Sequence, residues 1–265
     1  MDWRDEGILL TTRPHGENGT IIETLTREHG RHSGLVHGGQ SASKAPMMQP
    51  GTQLALQWRA RLAEHLGNFH IEPVRSRAAL IMSDRVALAG LNSVGALLVA
   101  LLPEREPATA VYNETVALAD ALAEQAWDWP ARYARWETNL LTALGFGLDL
   151  SRCAATGATT DLVYVSPRSG RAVSRGAGGA FADRLLPLPG FLIGQGRPTI
   201  GAVREALRLT GYFLEHRVCP AFEQKALPEP RARLLRLLKA HVMTPPENEA
   251  APAPRAQAPR QGARG

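Results

Sequence analysis

Over the first 75 residues, apolar and polar positions alternate in short runs broken by Gly, Pro and Asn. The pattern predicts five strands, at residues 7–12, 19–26, 31–37, 52–62 and 68–73. The fourth is the most regular. Thr52, Leu54, Leu56, Trp58, Ala60 and Leu62 alternate with Gln53, Ala55, Gln57, Arg59, Arg61 and Ala63, so one face is apolar and the other carries Arg59 and Arg61. Strands this short would expose their edges in an open sheet, and a closed or nearly closed OB-type barrel fits the count.

Past Ser76 the period lengthens to about 3.6. Leu88, Leu91, Val94, Leu98 and Leu101 line one face of a helix entered at Ser83-Asp84 and stopped by Pro103. A second helix is predicted over 108–126, with Val111, Thr115, Leu118 and Leu122 inward. A third opens at Pro130 and runs to Leu144, burying Tyr133, Trp136, Leu140, Leu141 and Leu144, with Gly145 and Gly147 placed to end it. From 148 to 190 the period disappears. Gly, Ser, Thr and Pro dominate, and apart from one extended apolar piece at 162–165 the stretch reads as an irregular insert. Helix returns after Thr199, a candidate N-cap, with Val203, Leu207, Thr210 and Leu214 on one face, and again over 230–241. From Thr244 onward the Pro, Ala, Arg and Gln content predicts a disordered tail. The fold class is therefore α+β: an OB-fold barrel at 1–79, a helical domain at 80–243 and a tail at 244–265.

Composition bears on setting more than on fold. The opening Met1-Asp2-Trp3-Arg4-Asp5-Glu6 lacks the basic flank and apolar stretch of an export signal, and the longest apolar run, 95–102, is far short of the roughly 20 residues that span a bilayer. Cytoplasmic residence is expected, with no membrane contact. Cys153 and Cys219 are too few for a disulfide scaffold and are expected to be thiols. The net charge of +5 favours a polyanionic partner without identifying one. Arginine far outnumbers lysine, which occurs only at 44, 225 and 239; phosphate recognition by guanidinium groups and codon bias both account for that.

Candidate chemistry is quickly bounded. None of the three lysines sits in a phosphate-binding Gly-x-x-x-x-Gly-Lys-Ser/Thr loop, which excludes a P-loop ATPase. Gly194-Gln195-Gly196-Arg197-Pro198-Thr199 lacks a third glycine and reads as the entry to a helix. His29, His32 and His37 cluster with Glu28, but successive strand residues point to opposite faces, so they are expected to be solvated or phosphate-facing and not metal ligands. No nucleophile elbow or paired-carboxylate arrangement is present, and no catalytic residue is assigned. What remains is a basic barrel surface, for which Arg27, Arg31, Lys44, Arg59 and Arg61 are the candidate nucleic-acid contacts. Arg59 and Arg61, two residues apart on one strand face, would stand about 6–7 Å apart, near the spacing of phosphates along an extended strand. Base stacking is poorly supported, because Trp58 falls on the apolar face and Trp3 precedes the first predicted strand.

Several stretches resemble one family. Asp5-Glu6-Gly7-Ile8-Leu9-Leu10, Glu17-Asn18, the strand at 21–26, His29-Gly30 and Gln49-Pro50-Gly51 resemble the N-terminal barrel of the RecO family of bacterial DNA repair and recombination mediators. The most specific stretch, Trp136-Glu137-Thr138-Asn139-Leu140-Leu141-Thr142-Ala143-Leu144-Gly145-Phe146 leading to Cys153, resembles that family's signature helix and its exit. The similarity spans residues 2–242. It implies an OB-fold domain followed by a helical domain, no enzymatic activity and no cofactor. It also implies annealing of single strands, binding of single- and double-stranded DNA, and loading of RecA onto strands coated with single-stranded-DNA-binding protein. RecR and the acidic, apolar C-terminal tail of the coating protein are the implied partners, with RecA engaged indirectly. Arg132, Arg135 and Arg152 are the candidate tail contacts by location alone.

Two departures from the family pattern matter. Many members resemble a zinc finger in the insert, with two Cys-x-x-Cys pairs; here the first reads Cys153-Ala154-Ala155-Thr156 and the second Ser174-Arg175-Gly176-Ala177. With one thiolate of four, a metal-free insert held by packing alone is expected. The family's basic loop between the third and fourth strands keeps only Lys44, for which Arg59 and Arg61 would compensate. The alternative from another class is an interaction adaptor whose barrel binds nucleic acid weakly or not at all. A metal-dependent hydrolase built on the histidines would need stoichiometric metal and turnover.

Overall fold

The computed structural model describes residues 1–246; apart from residues 244–246, the predicted disordered tail lies outside the described residues. Five strands, β1 (Asp2–His15), β2 (Gly19–Thr26), β3 (Gly30–Val36), β4 (Gln53–Arg59) and β5 (Asn68–Arg75), close into a barrel of order β1-β2-β3-β5-β4. β1 closes the circuit by serving two neighbours. Its first half pairs with β4 from Asp2↔Arg59 to Ile8↔Gln53, and its second half pairs with β2 from Gly7↔Thr26 to His15↔Gly19. The barrel is weakest at β3 and β5, joined through a single parallel pair, Leu35↔Asn68.

β1 is longer than its alternation predicts, because 7–10 is buried on both faces and shows no period of two. Leu9 points into the barrel with Ile22, Val36, Leu54, Leu56, Trp58, Phe69 and Ile71, whereas Ile8 and Leu10 point outward into the core of the helical domain. Trp3 consequently lies within the first strand and not ahead of it, opposite Trp58 in register. β4 is shorter than expected. Its alternation holds to Arg59, after which Arg61 and Leu62 lie in the β4–β5 loop, both exposed.

The short helix α1 (Ala78–Met82) leads to α2 (Arg85–Leu101), whose N-cap Asp84 accepts from the backbone N–H of Val86 and Ala87. α2 is the central strut, packed on β1, on α3 (Thr109–Ala123) and on the last helix, α8 (Glu229–Leu238). Gly95 sits against the Leu10 carbonyl, where a Cβ would lie 3.1 Å from the oxygen, so glycine lets helix and strand meet closely. α4 (Trp129–Ala143) buries Tyr133, Trp136, Leu140 and Leu141, and Gly145 at φ 85° follows its end. Thr199 caps α6 (Ile200–Phe213), accepting from Ala202 N at 3.2 Å. α6 runs through a π-helical turn, Leu214–Val218, into α7 (Cys219–Ala221).

The insert is more ordered than its composition suggests. β6 (Leu162–Val165), β7 (Ala172–Ser174) and β8 (Leu186–Pro187) form a small sheet of order β7-β6-β8, with α5 (Arg175–Gly178) following β7. Strands of two to four residues are too short to show a period, which is why only β6 is visible in the sequence.

Two polar assemblies lock the body. Arg77, 1% exposed, donates to Asp120 Oδ1 (2.5 Å) and Gln53 Oε1 (2.8 Å), tying the end of the barrel to α3. Glu137, fully buried on α4, accepts from Tyr133 Oη (2.9 Å), Arg231 Nε (2.7 Å) and Nη2 (2.9 Å), and Thr210 Oγ1. Ser93 on α2 joins through Tyr133 Oη at 2.6 Å, so four helices meet at one carboxylate.

Candidate nucleic-acid interface

The outward residues of β4 and β5 face each other in register, Gln57↔His70 and Arg59↔Asn68. Because β3 and β5 barely pair, the loop after β3 stands off from this surface and a groove opens between them, lined by His37, Lys44, Gln57, Arg59, Asn68, Phe69 and His70. Lys44 Nζ donates to the His37 carbonyl at 2.7 Å, which positions the ammonium without neutralising it. Arg59, about two-thirds exposed, has Asp2 at 3.8 Å as its ionic neighbour. A second hollow continues from the same arginine, lined by Met1, Asp2, Arg59, Ala60, Arg61 and Asn68. Lys44, Arg59 and Arg61 thus line two adjoining hollows that share Arg59 and Asn68, with Asp2 beside Arg59 as the acidic residue among them. Arg61 reaches the second from the loop, not as the next outward residue of β4.

The other two barrel candidates lie elsewhere. Arg31 is withdrawn from the surface: its guanidinium donates to Glu23, to the Leu102 carbonyl at 2.8 Å and to Glu104 at 3.3 Å, and its side chain is 12% exposed. It holds the barrel to the helical domain. Arg27 is exposed in the β2–β3 turn, whose backbone is fastened to Glu6 and to the Thr109 hydroxyl, and it lines neither hollow.

The histidines do not alternate along one strand, and they are not all solvated or phosphate-facing as expected: only His32 lies on β3, and His29 and His37 sit in the turns before and after it. His29 stacks on Trp3 at 4.1 Å and reaches Asp5 at 2.9 Å. Burial alone would raise the Asp5 carboxyl, but hydrogen bonds from the His29 ring and from the backbone of Glu28 and Glu6 hold it below the usual range. His32 is buried against Trp3, Trp58 and Phe69, and burial lowers its pKa. Of these three, only His37 lines the groove, where it joins His70. Among the described residues, no three His, Cys, Asp or Glu side chains converge as metal ligands.

The positions of a zinc finger in the insert do not suit the metal. Cys153 supplies the only thiol, and Thr156, Ser174 and Ala177 stand where the other ligands would be. The insert is nevertheless not held by packing alone. Cys153 Sγ accepts from Ser174 N (3.3 Å) and Ser174 Oγ (3.4 Å), and Ala154 N donates to Ala172 O at 2.7 Å. Hydrogen bonds from Ser174 and Thr156 bring the thiol down to about 6, against the opposing effect of burial. Its folded pKa then lies below the ordinary value of about 8.5, so the stability it contributes is present above that value and is lost as the pH falls through about 6. Ser174→Ala is expected to lower the melting temperature by about 2–4 °C at pH ~8 and by less at pH ~5.5. EDTA is expected to leave the wild-type melt unchanged; a fall on chelation would overturn the metal-free reading.

In the helical domain the three partner candidates do not form a site together. Arg132 pairs with Asp128 at 2.9 Å, Arg135 lies over the Phe191 ring at 5.2 Å and donates to its carbonyl, and Arg152 is exposed in the loop beyond α4. A groove that no sequence signal marked lies between α6 and α8. Leu186, Leu207, Tyr212 and Leu235 line it together with Arg204, Arg208, Arg231 and Lys239, and Glu215 and His216 also border it, Glu215 being its one carboxylate. Its residues come from three separated segments, so only the folded chain brings them together.

Residues 1–77 match the family described as Recombination protein O N terminal, and residues 82–226 match Recombination protein O C terminal. Relatives named DNA repair protein RecO include one from Cereibacter sphaeroides, 55% identical over 238 residues, covering 90% of this chain and 98% of the relative. One from Ruegeria sp. is 54% identical over 242 residues, covering 91% and 100%, and one from Jannaschia sp. is 49% identical over 243 residues, covering 92% and 98%. Similarity of this extent runs through both the barrel and the helical domain, and the chain belongs to the RecO family of DNA repair and recombination proteins.

Proposed function

We propose that this chain is a non-enzymatic recombination mediator. It binds single- and double-stranded DNA, anneals complementary strands, and helps load RecA onto DNA coated with single-stranded-DNA-binding protein, in the cytoplasm and at the nucleoid. The observation that carries this reading is the path of Lys44, Arg59 and Arg61, whose charges face solvent across the least-paired seam of the barrel. Cations there replace the counterions of a phosphate backbone, and two strands so neutralised repel each other less, so pairing nucleates without nucleotide hydrolysis. Phe69 is buried in the barrel core and Trp3 is sandwiched by its neighbours, so the grip is on phosphate and not on bases.

For the acidic, apolar tail of the coating protein we assign the groove between α6 and α8, in place of Arg132, Arg135 and Arg152. Its leucines suit the apolar part of such a tail, and Arg204, Arg208 and Lys239 suit its carboxylates. RecR is a further partner, to which no surface is assigned. Annealing of bare and coated complementary strands across a salt series, without nucleotide, tests both sites together. The wild type is expected to anneal both. The double variant Arg208→Glu/Lys239→Glu is expected to anneal bare strands normally and to lose about tenfold in rate on coated ones, because two reversed exposed charges at about 0.7 kcal/mol each cost about 1.4 kcal/mol together. Equal rates on both substrates would remove the groove from the mechanism, and no annealing by the wild type on either would leave an adaptor.

A further inference from the structure

The segment leaving α2 runs alongside the barrel before α3 begins. Residues 31 and 104 form a parallel bridge, and Arg105 N donates to Arg31 O at 2.8 Å. Gly30 lies so close that a Cβ there would fall 1.9 Å from the Glu106 carbonyl oxygen. From this strap the Arg105 side chain crosses to the β4–β5 loop. Nη1 donates to Ala63 O, and Nη2 donates to His65 O at 3.0 Å and to Glu64 O at 3.4 Å, so one guanidinium gathers three successive carbonyls.

Two features of Arg105 are unfavourable in isolation. Its backbone is left-handed, at φ 62°, and its Nε is buried without a hydrogen-bond partner. Elsewhere the loop is fixed only near its ends, where Ala60 exchanges hydrogen bonds with Met1, Trp58 Nε1 donates to Leu66 O at 3.0 Å and Leu35 N donates to Gly67 O at 3.0 Å. Between them Leu62 is exposed, and the internal turn rests on His65 N donating to Leu62 O at 3.2 Å. That loop carries Arg61, which shares a hollow with Arg59.

We infer that Arg105 is a positioning residue for DNA binding: from the helical domain it clasps the β4–β5 loop and holds Arg61 beside Arg59. The inference rests on the proposed phosphate path. A planar fork can span several carbonyls at once, whereas an ammonium is a point donor, so the geometry calls for arginine and not for positive charge alone. Without the clasp, Arg61 must be ordered at the moment of binding and its contact is lost or weakened.

The test is an anisotropy titration of a fluorescein-labelled oligothymidine strand with the full chain across a salt series. Each phosphate contact contributes about −0.7 to the log-log slope, which near 0.15 M salt amounts to about fourfold in affinity. Arg61→Ala is expected to lose about fourfold, and Arg105→Ala about the same. Arg61→Ala/Arg105→Ala is expected to be no weaker than Arg61→Ala. Arg105→Lys is expected to behave like Arg105→Ala, and it carries the test alone should the alanine variant fail to fold. Independent losses that multiply to about sixteenfold, full affinity in Arg105→Ala, or rescue by lysine would each overturn the clasp. Wild-type affinity in Arg59→Glu would instead overturn the phosphate path on which the clasp depends.

Discussion

Arg231→Ala is expected to destabilise the protein by about 3–5 kcal/mol, the range observed when one partner of a buried ion pair is removed. The arginine is 4% exposed and its partner Glu137 is fully buried, so truncation leaves a carboxylate with no water to solvate it and two hydrogen bonds missing. A third bond, from Arg231 Nη2 to Leu207 O at 2.8 Å, disappears with them, freeing α8 from α6. For a chain of this size the melting temperature should fall by about 6–20 °C. Burial and the neighbouring carboxylate hold the Tyr133 hydroxyl well above its ordinary range. Its raised folded pKa makes its contribution complete below pH ~10, and that contribution is lost as the pH rises through the folded value. Replacing both partners by apolar residues, Glu137→Leu with Arg231→Met, is expected to recover much of the loss, because the stranded charge is gone. A calorimetric melt decides: Arg231→Ala melting within about 2 °C of wild type would mean that the carboxylate finds water or takes a proton.

The same pair marks how far the sequence could be read. Tyr133, Trp136, Leu140 and Leu141 announce α4 by their spacing, and they are buried as that spacing requires. Glu137 lies among them with nothing to signal burial, because its partners Thr210 and Arg231 come from helices far along the chain. Local period is written into adjacent residues, but the pairing of distant polar groups is not. Arg31 illustrates the opposite error. Between outward positions of an alternating strand it looks like a surface cation, yet Glu104, 73 residues away in sequence, helps to remove it from solvent. Lys44 and Arg59, by contrast, line a solvent-facing groove as their placement in the barrel predicts, because their exposure depends on the barrel alone. The groove between α6 and α8 had no signature for the same reason that Glu137 had none.

The largest functional effect is expected for Lys44→Glu combined with Arg59→Glu. Each reversal removes a phosphate contact and sets a carboxylate against the backbone, a change of two charges per site. Counting each charge as one counterion equivalent at about 0.7 in the log-log slope, the double variant should bind single strands on the order of 10²-fold more weakly near 0.15 M salt. Its salt dependence should also be flatter, by about 2.8 on the same count of four charges, so the difference closes as salt approaches about 1 M. Neither side chain supports the core: Arg59 is largely exposed, and Lys44 makes a single hydrogen bond to the His37 carbonyl, so the melt should hardly move. Arg31→Gln provides the contrast. Its guanidinium is held by Glu23, Glu104 and Leu102 O, so its loss should lower the melting temperature and leave the salt slope as it was. If the double reversal kept wild-type affinity while Arg31→Gln flattened the slope, the DNA would have to run along the β2–β3 side of the barrel, where Arg27 lies, and not along the seam between β3 and β5.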